Sequence, residues 1–110
     1  MVGCGVIGSG WIARFVENGL NVVVYDPSPQ AESNAAVVLE NSKRAYAKLL
    51  KPPVPARGNV QYVSSVGEAV EDSELIIEAV PEDAGIKKST YAEIEASAPV
   101  EAMIASSTSG

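Results

Sequence analysis

Three glycines near the start of the chain, Gly3, Gly5 and Gly8, stand in the pattern G-x-G-x-x-G. That spacing suits a turn that carries backbone up to a pyrophosphate. Gly3 permits the tight turn after a strand, Gly5 leaves room for the phosphates, and Gly8 lets the following helix pack closely on the sheet. The donors would be the amides of Val6 and Ile7, at the positive end of that helix's dipole. Asp26 follows Gly8 by eighteen residues, where an acidic side chain can hold ribose hydroxyls. A carboxylate at that point repels a 2′-phosphate, and Pro27-Ser28-Pro29 bring no arginine to offset it, so NAD is expected over NADP. The competing role for Asp26 is a plain cap on the turn at Ser28.

Other readings of the same glycines fail on their neighbours. Gly3 and Gly8 have Walker A spacing, but Ser9-Gly10 stands where Lys-Ser/Thr is required. A kinase glycine loop needs a lysine on the next strand, and Val22 to Tyr25 carries none. Further along, Glu78-Ala79-Val80-Pro81-Glu82 is followed by Lys87. Charged groups at the carboxyl end of a parallel strand face the ligand crevice, although a surface ion pair of little energetic weight is the alternative. Cys4 has no nameable base or cation beside it and is expected to be a small spacer in the glycine loop. Trp11 is expected in a core or an interface. The chain contains no histidine, so a His general base, a Ser-His-Asp triad and ordinary zinc sites are excluded within it.

The elements that must position these residues alternate short β-branched runs with helical stretches, a pattern for a parallel sheet covered by helices. Val22-Val23-Val24-Tyr25, Val60-Gln61-Tyr62-Val63, Leu75 to Val80 and Met103-Ile104-Ala105 read as strands. Gly10 to Asn18 reads as a helix with Ile12, Phe15 and Val16 on one face and Gly19 as its stop. The next helix has Ser28 as N-cap, Pro29 at its first position, and an apolar stripe of Ala35, Val38, Leu39, Ala45, Tyr46 and Leu49. Pro52, Pro53 and Pro55 end it. Ser65-Val66-Gly67-Glu68 fits a capping box for a short helix through Val70. The last helix runs from about Gly85 to Ser97, with Ile86, Tyr91 and Ile94 inward and Pro99 closing it. The fold class is α/β, a Rossmann-type doubly wound parallel sheet, with residues 1–110 forming one partial domain. It is expected to be truncated at both ends, because only Met1 and Val2 precede Gly3 and the chain stops at Ser106-Ser107-Thr108-Ser109-Gly110, just where a strand would deliver its side chains to a ligand.

Composition narrows the partners. Lys plus Arg number 8 against 14 Asp plus Glu, a net charge of -6, and no basic stripe for nucleic acid is visible. Lys43, Arg44, Lys48 and Lys51 are expected to form a solvated face, with support between Glu40 and Arg44. No apolar run approaches the roughly 20 residues of a membrane span. One cysteine permits no internal disulfide, which fits a reducing, cytoplasmic compartment.

With these motifs in order and spacing, the chain resembles, over essentially its whole length, the NAD-binding domain of the 3-hydroxyacyl-CoA dehydrogenase family. Gly8-Ser9-Gly10-Trp11, Tyr25-Asp26-Pro27 and Ser106-Ser107-Thr108-Ser109-Gly110 look most like its carnitine-type branch. The resemblance implies that Glu82 and Lys87 contact the nicotinamide end of NAD and that the Ala79-Val80 backbone lines the cofactor. It implies that Ser109 hydrogen-bonds the substrate oxygen. Ser107, counted with the cofactor contacts, stands where the CoA-using members carry asparagine. The substrate would be a small hydroxy acid of carnitine or acyl-CoA type. A histidine with an acidic partner, in a helical domain that also makes the homodimer, would lie outside these residues. A non-catalytic dinucleotide-binding sensor module is the alternative, as is a partial reading frame without independent function.

Overall fold

The computed structural model describes residues 1–49 and 57–106. In chain order it contains α1 (Val6–Glu17), β1 (Val22–Val24), α2 (Ala31–Leu49), β2 (Val60–Tyr62), α3 (Val66–Val70), β3 (Leu75–Glu78), α4 (Ala84–Ser97) and β4 (Met103–Ser106). The strands form two parallel pairs. Val22 aligns with Val60 in β1–β2, and Leu75 aligns with Met103 in β3–β4. Val2 joins the pairs, bridging Tyr25 on one side and Glu78 on the other, both in parallel. Its amide donates to the Ile77 carbonyl at 2.9 Å, and its carbonyl accepts from Ala79 at 2.8 Å. The order across the sheet is therefore β2, β1, the Met1–Gly3 segment, β3, β4. Chain order reverses direction at the central segment, which makes this the switch point of a doubly wound sheet.

Alternation along the strands divides the core between two faces. Met1, Val22, Val24 and Ile77 pack with Ile12 and Val16 of α1 and Ala31 and Ala35 of α2. Val2, Ile76 and Val80 pack with Val66, Ala69 and Val70 of α3 and Ile94 of α4. Ile12 and Ile94 are 0% exposed and Ile76 is 1%, and full burial of such a side chain contributes about 1.5–3 kcal/mol.

Several boundaries differ from the sequence expectation. α1 begins at Val6 rather than Gly10, because Gly5 is itself the N-cap and the helix grows directly out of the glycine turn. Gly19 ends it as expected, with φ +84° and its amide on the Val16 carbonyl. The regular part of α2 starts at Ala31. The Asp26 carboxylate holds the Ser28 amide at 2.8 Å, and Ser28 Oγ accepts from the Gln30 amide at 3.3 Å. Residues 28–30 thus form a separate turn ahead of the helix. Of the predicted stripe, Ala35 is buried, Val38, Leu39 and Tyr46 are half-buried, and Ala45 is exposed. Lys43, Arg44 and Lys48 are exposed, but among the described residues no ion pair joins Glu40 to Arg44. Pro52, Pro53, Pro55 and Lys51 lie outside the described residues.

The Ser65 half of the capping box on α3 is present, with the Glu68 amide donating to Ser65 Oγ at 3.1 Å. The Glu68 carboxylate accepts from the Ser65 hydroxyl at 3.2 Å rather than from the Ser65 amide. α4 is capped by Asp83, whose carboxylate accepts from the Ile86 amide at 2.9 Å. That places Ile86 in the first turn, 44% exposed, and not inward as the spacing predicts. Thr90 and Ile94 form the buried face instead. Among the described residues no helix is long and apolar enough to cross a membrane.

Candidate functional site at the switch point

The glycine turn is built by contact with the neighbouring strand. Gly3 has φ +100°, and a Cβ there would lie 2.6 Å from the carbonyl carbon and oxygen of Ala79. A Cβ on Gly8 would collide with the Gly3 carbonyl oxygen, so α1 can start this close to the turn only with glycine there. Gly5 is different. A Cβ on it would meet nothing within 4 Å, so the fold itself does not demand the missing side chain. The open space lies at the first turn of α1, where no side chain caps the helix and no acidic residue stands. Val6 and Ile7 are exposed there, at 91% and 58%. Backbone donors with an open approach are what a diphosphate requires.

Asp26, just past Tyr25 at the end of β1, is half-buried against this turn. Its Oδ2 accepts from the Cys4 amide at 2.7 Å while Oδ1 accepts from Ser28. The carboxylate therefore caps the Ser28 turn and also touches the glycine loop. Each oxygen retains acceptor capacity for a sugar hydroxyl. Cys4 is a buried spacer as expected. Its Sγ lies 3.8 Å from Ser9 Oγ, and burial pushes the thiol up despite that contact. Trp11 is half-buried and stacks on Phe15 at 5.8 Å.

Beyond β3 the structure adds a residue the sequence pattern did not single out. Glu78 is fully buried. Its Oε2 accepts from the Val80 amide at 2.7 Å, shaping the turn that presents Ala79 to Gly3. Its Oε1 accepts from Ser106 Oγ at 2.9 Å, Tyr91 Oη at 3.2 Å and Lys87 Nζ at 3.3 Å. Burial works to raise its carboxyl. The Val80, Ser106 and Lys87 hydrogen bonds, with the Lys87 charge, outweigh it and hold the group below the ordinary carboxylate range. Lys87 also lies 3.6 Å from Glu82 Oε1. The expected Glu82–Lys87 pair exists, but Glu82 is its exposed side (60%) and Glu78 its buried one (0%). The available signal was an acid closing the apolar run Leu75-Ile76-Ile77. Ser107 and Ser109 lie outside the described residues.

A cavity of about 520 Å³ between Met1, Phe15, Val22, Leu75 and Ile77 opens at the amino ends of the strands, away from this site. The crevice is assigned to the carboxyl ends, where the glycine turn, the open helix start and the charged groups converge.

A glycine turn, an uncapped helix start and an acid at the end of the next strand, set at the switch point of a doubly wound sheet, define a dinucleotide-binding domain of Rossmann type. The chain belongs to the 3-hydroxyacyl-CoA dehydrogenase NAD-binding domain family, whose pattern matches residues 1–110. It is 40% identical over 109 residues to an L-carnitine dehydrogenase of Mesorhizobium japonicum, covering 99% of this chain and 30% of that protein. It is 46% identical over 109 residues to an L-carnitine dehydrogenase/betainyl-CoA thioesterase of Agrobacterium fabrum, covering 99% of this chain and 22% of that one. The chain thus spans less than a third of either relative's length. Among solved structures, an NAD+-dependent dismutase, 5-formyl-3-hydroxy-2-methylpyridine 4-carboxylic acid 5-dehydrogenase, matches with TM-score 0.86 and 34% identity. That match covers 99% of this chain and 36% of that one. The (S)-3-hydroxybutyryl-CoA dehydrogenase of Ralstonia eutropha matches with TM-score 0.78 and 25% identity, covering 98% and 39%.

Proposed function

We propose that this chain is the cofactor-binding part of an NAD-dependent dehydrogenase that oxidises the 3-hydroxyl of L-carnitine or of a 3-hydroxyacyl-CoA-type substrate. The observation that carries the reading is the open space at Gly5 over the uncapped start of α1, tied to Asp26 through the Cys4 amide. When bound there, NAD supplies the hydride acceptor. The amides of Val6 and Ile7 hold the diphosphate, and Gly3 and Gly8 keep the turn in place. Asp26 takes the adenosine ribose, and its charge disfavours a 2′-phosphate. The Ala79-Val80 backbone lines the cofactor, while Glu82 and Lys87 meet its nicotinamide end. Ser107 joins the cofactor contacts. Ser109 orients the substrate oxygen. These last assignments draw on the family resemblance.

A histidine base, its acidic partner and the contacts of a homodimer belong to a further domain, and the protein works in the cytoplasm on a small-molecule substrate. L-Carnitine is favoured by the names of the relatives at 40% and 46% identity. The test is NADH formation by the full-length protein with L-carnitine and with 3-hydroxybutyryl-CoA. Turnover of carnitine is expected. Preference for the CoA ester would move the protein to the other branch, and NAD binding with neither substrate oxidised would make it a sensor module. The 110-residue chain alone should bind NAD and turn over neither.

A further inference from the structure

Glu78 is an expensive residue to place where it stands. Moving a carboxylate out of water costs several kcal/mol unless partners repay it, and the two residues before it, Ile76 and Ile77, are apolar and buried. Its partners converge from four places: the turn at Val80, two positions of α4 (Lys87 and Tyr91), and the end of β4 at Ser106. Through Val2 and Ser106 it also aligns the central segment with β4. Among these partners Lys87 brings the opposite charge and links the anchor to the surface. Lys87 is 23% exposed while Glu78 is 0%. A lysine paired with Glu82 alone, an acid that is 60% exposed, would be a mobile surface pair of little consequence.

We infer that Glu78 is a positioning residue. It is a buried anion that fixes the Lys87 ammonium, and with it the entrance to α4, at the nicotinamide end of the crevice before the cofactor arrives. This deepens the proposed function and rests on its placing of Lys87 at the cofactor. Without the anchor, binding must order the lysine side chain itself. Immobilising a flexible side chain on binding lowers affinity by about three- to tenfold.

The test is a double-mutant cycle on the full-length protein, with NAD affinity read by isothermal titration calorimetry. Glu78→Gln and Lys87→Met should each raise the Kd about three- to tenfold. The double variant should be no weaker than the weaker single variant, because the anchor acts through the lysine. A purely structural Glu78 would lower the unfolding midpoint but leave the two effects on Kd additive, which overturns the inference. If Glu78→Gln does not fold, the same cycle is run with Ser106→Ala, which removes the 2.9 Å bond to Oε1. Its loss of affinity should vanish in the Lys87→Met background, and persistence there has the same overturning force. Failure of the unsubstituted protein to bind NAD sinks the cofactor reading itself, whereas binding with additive losses sinks only the anchor.

Discussion

Three glycines of one motif are held for different reasons, and substitutions should separate them. Gly5→Ser adds a good N-cap to α1, so thermal stability should hold or rise. The new hydroxyl occupies the open space and competes for the helix-start amides, so NAD affinity should fall about tenfold or more, since hydrogen bonds to a charged group contribute about 1.5–3 kcal/mol. Gly3→Ala should do the reverse damage. At φ +100° backbone strain alone costs about 1–3 kcal/mol, and the contact with Ala79 adds to it. Urea unfolding and calorimetry on the two variants would check the contrast, and equal losses of stability would contradict it. The close approach at Gly3 and Gly8 and the Asp26 cap on the Ser28 turn were legible in the sequence because they follow from local backbone and fixed spacing. Glu78 was not. Two acids flank Ala79-Val80-Pro81, and which of them is buried depends on Tyr91 and Ser106, thirteen and twenty-eight residues away. No local pattern carries that information.

At the level of elements, the sequence located every helix and strand of the described residues but misplaced several ends where caps and turns intervene. α1 starts early because a glycine serves as its cap, and α2 starts late because Asp26 and Ser28 close a turn first. Ile86 faces outward because Asp83 sets the phase of α4. The Ser65 cap of α3 was readable because it and Glu68 lie within four residues. It also offers a clean measurement. Ser65→Ala removes the acceptor for the Glu68 amide and should cost about 1 kcal/mol. α3 has only five residues, too few to persist without its cap and its packing. The Ala69 and Glu71 amides, bonded to the Ser65 and Gly67 carbonyls, should therefore lose protection together in hydrogen exchange. A loss confined to the first turn would show that packing alone holds the helix.

In a polypeptide that begins at Met1, the terminal amine makes the stability of the whole domain depend on pH. The Met1 amine sits inside the sheet, donating to the Val23 carbonyl at 2.8 Å. Burial lowers it from 8.0 to about 6, with Cys4 opposing weakly. The unfolded chain therefore binds this proton more tightly than the folded one between pH 6 and 8. Below that window both states are protonated and the folded state bears the full desolvation penalty. Above it both are neutral and the penalty is gone. Stability should accordingly rise by about 2 kcal/mol between pH 6 and pH 8, part of a total of about 3 kcal/mol from well below to well above that window, since each tenfold difference in proton affinity between the two states is worth about 1.36 kcal/mol. No histidine is present, and burial pushes the Cys4 thiol upward, away from that range. Urea unfolding at pH 6 and pH 8 on a polypeptide whose first residue is Met1 measures the slope directly. An added residue ahead of Met1, or acetylation of the amine, turns the buried cation into a neutral peptide N–H with the same bond to Val23. The slope should then disappear. A slope that survived acetylation would place the titrating group elsewhere and deny that the central segment holds its amine inside the sheet.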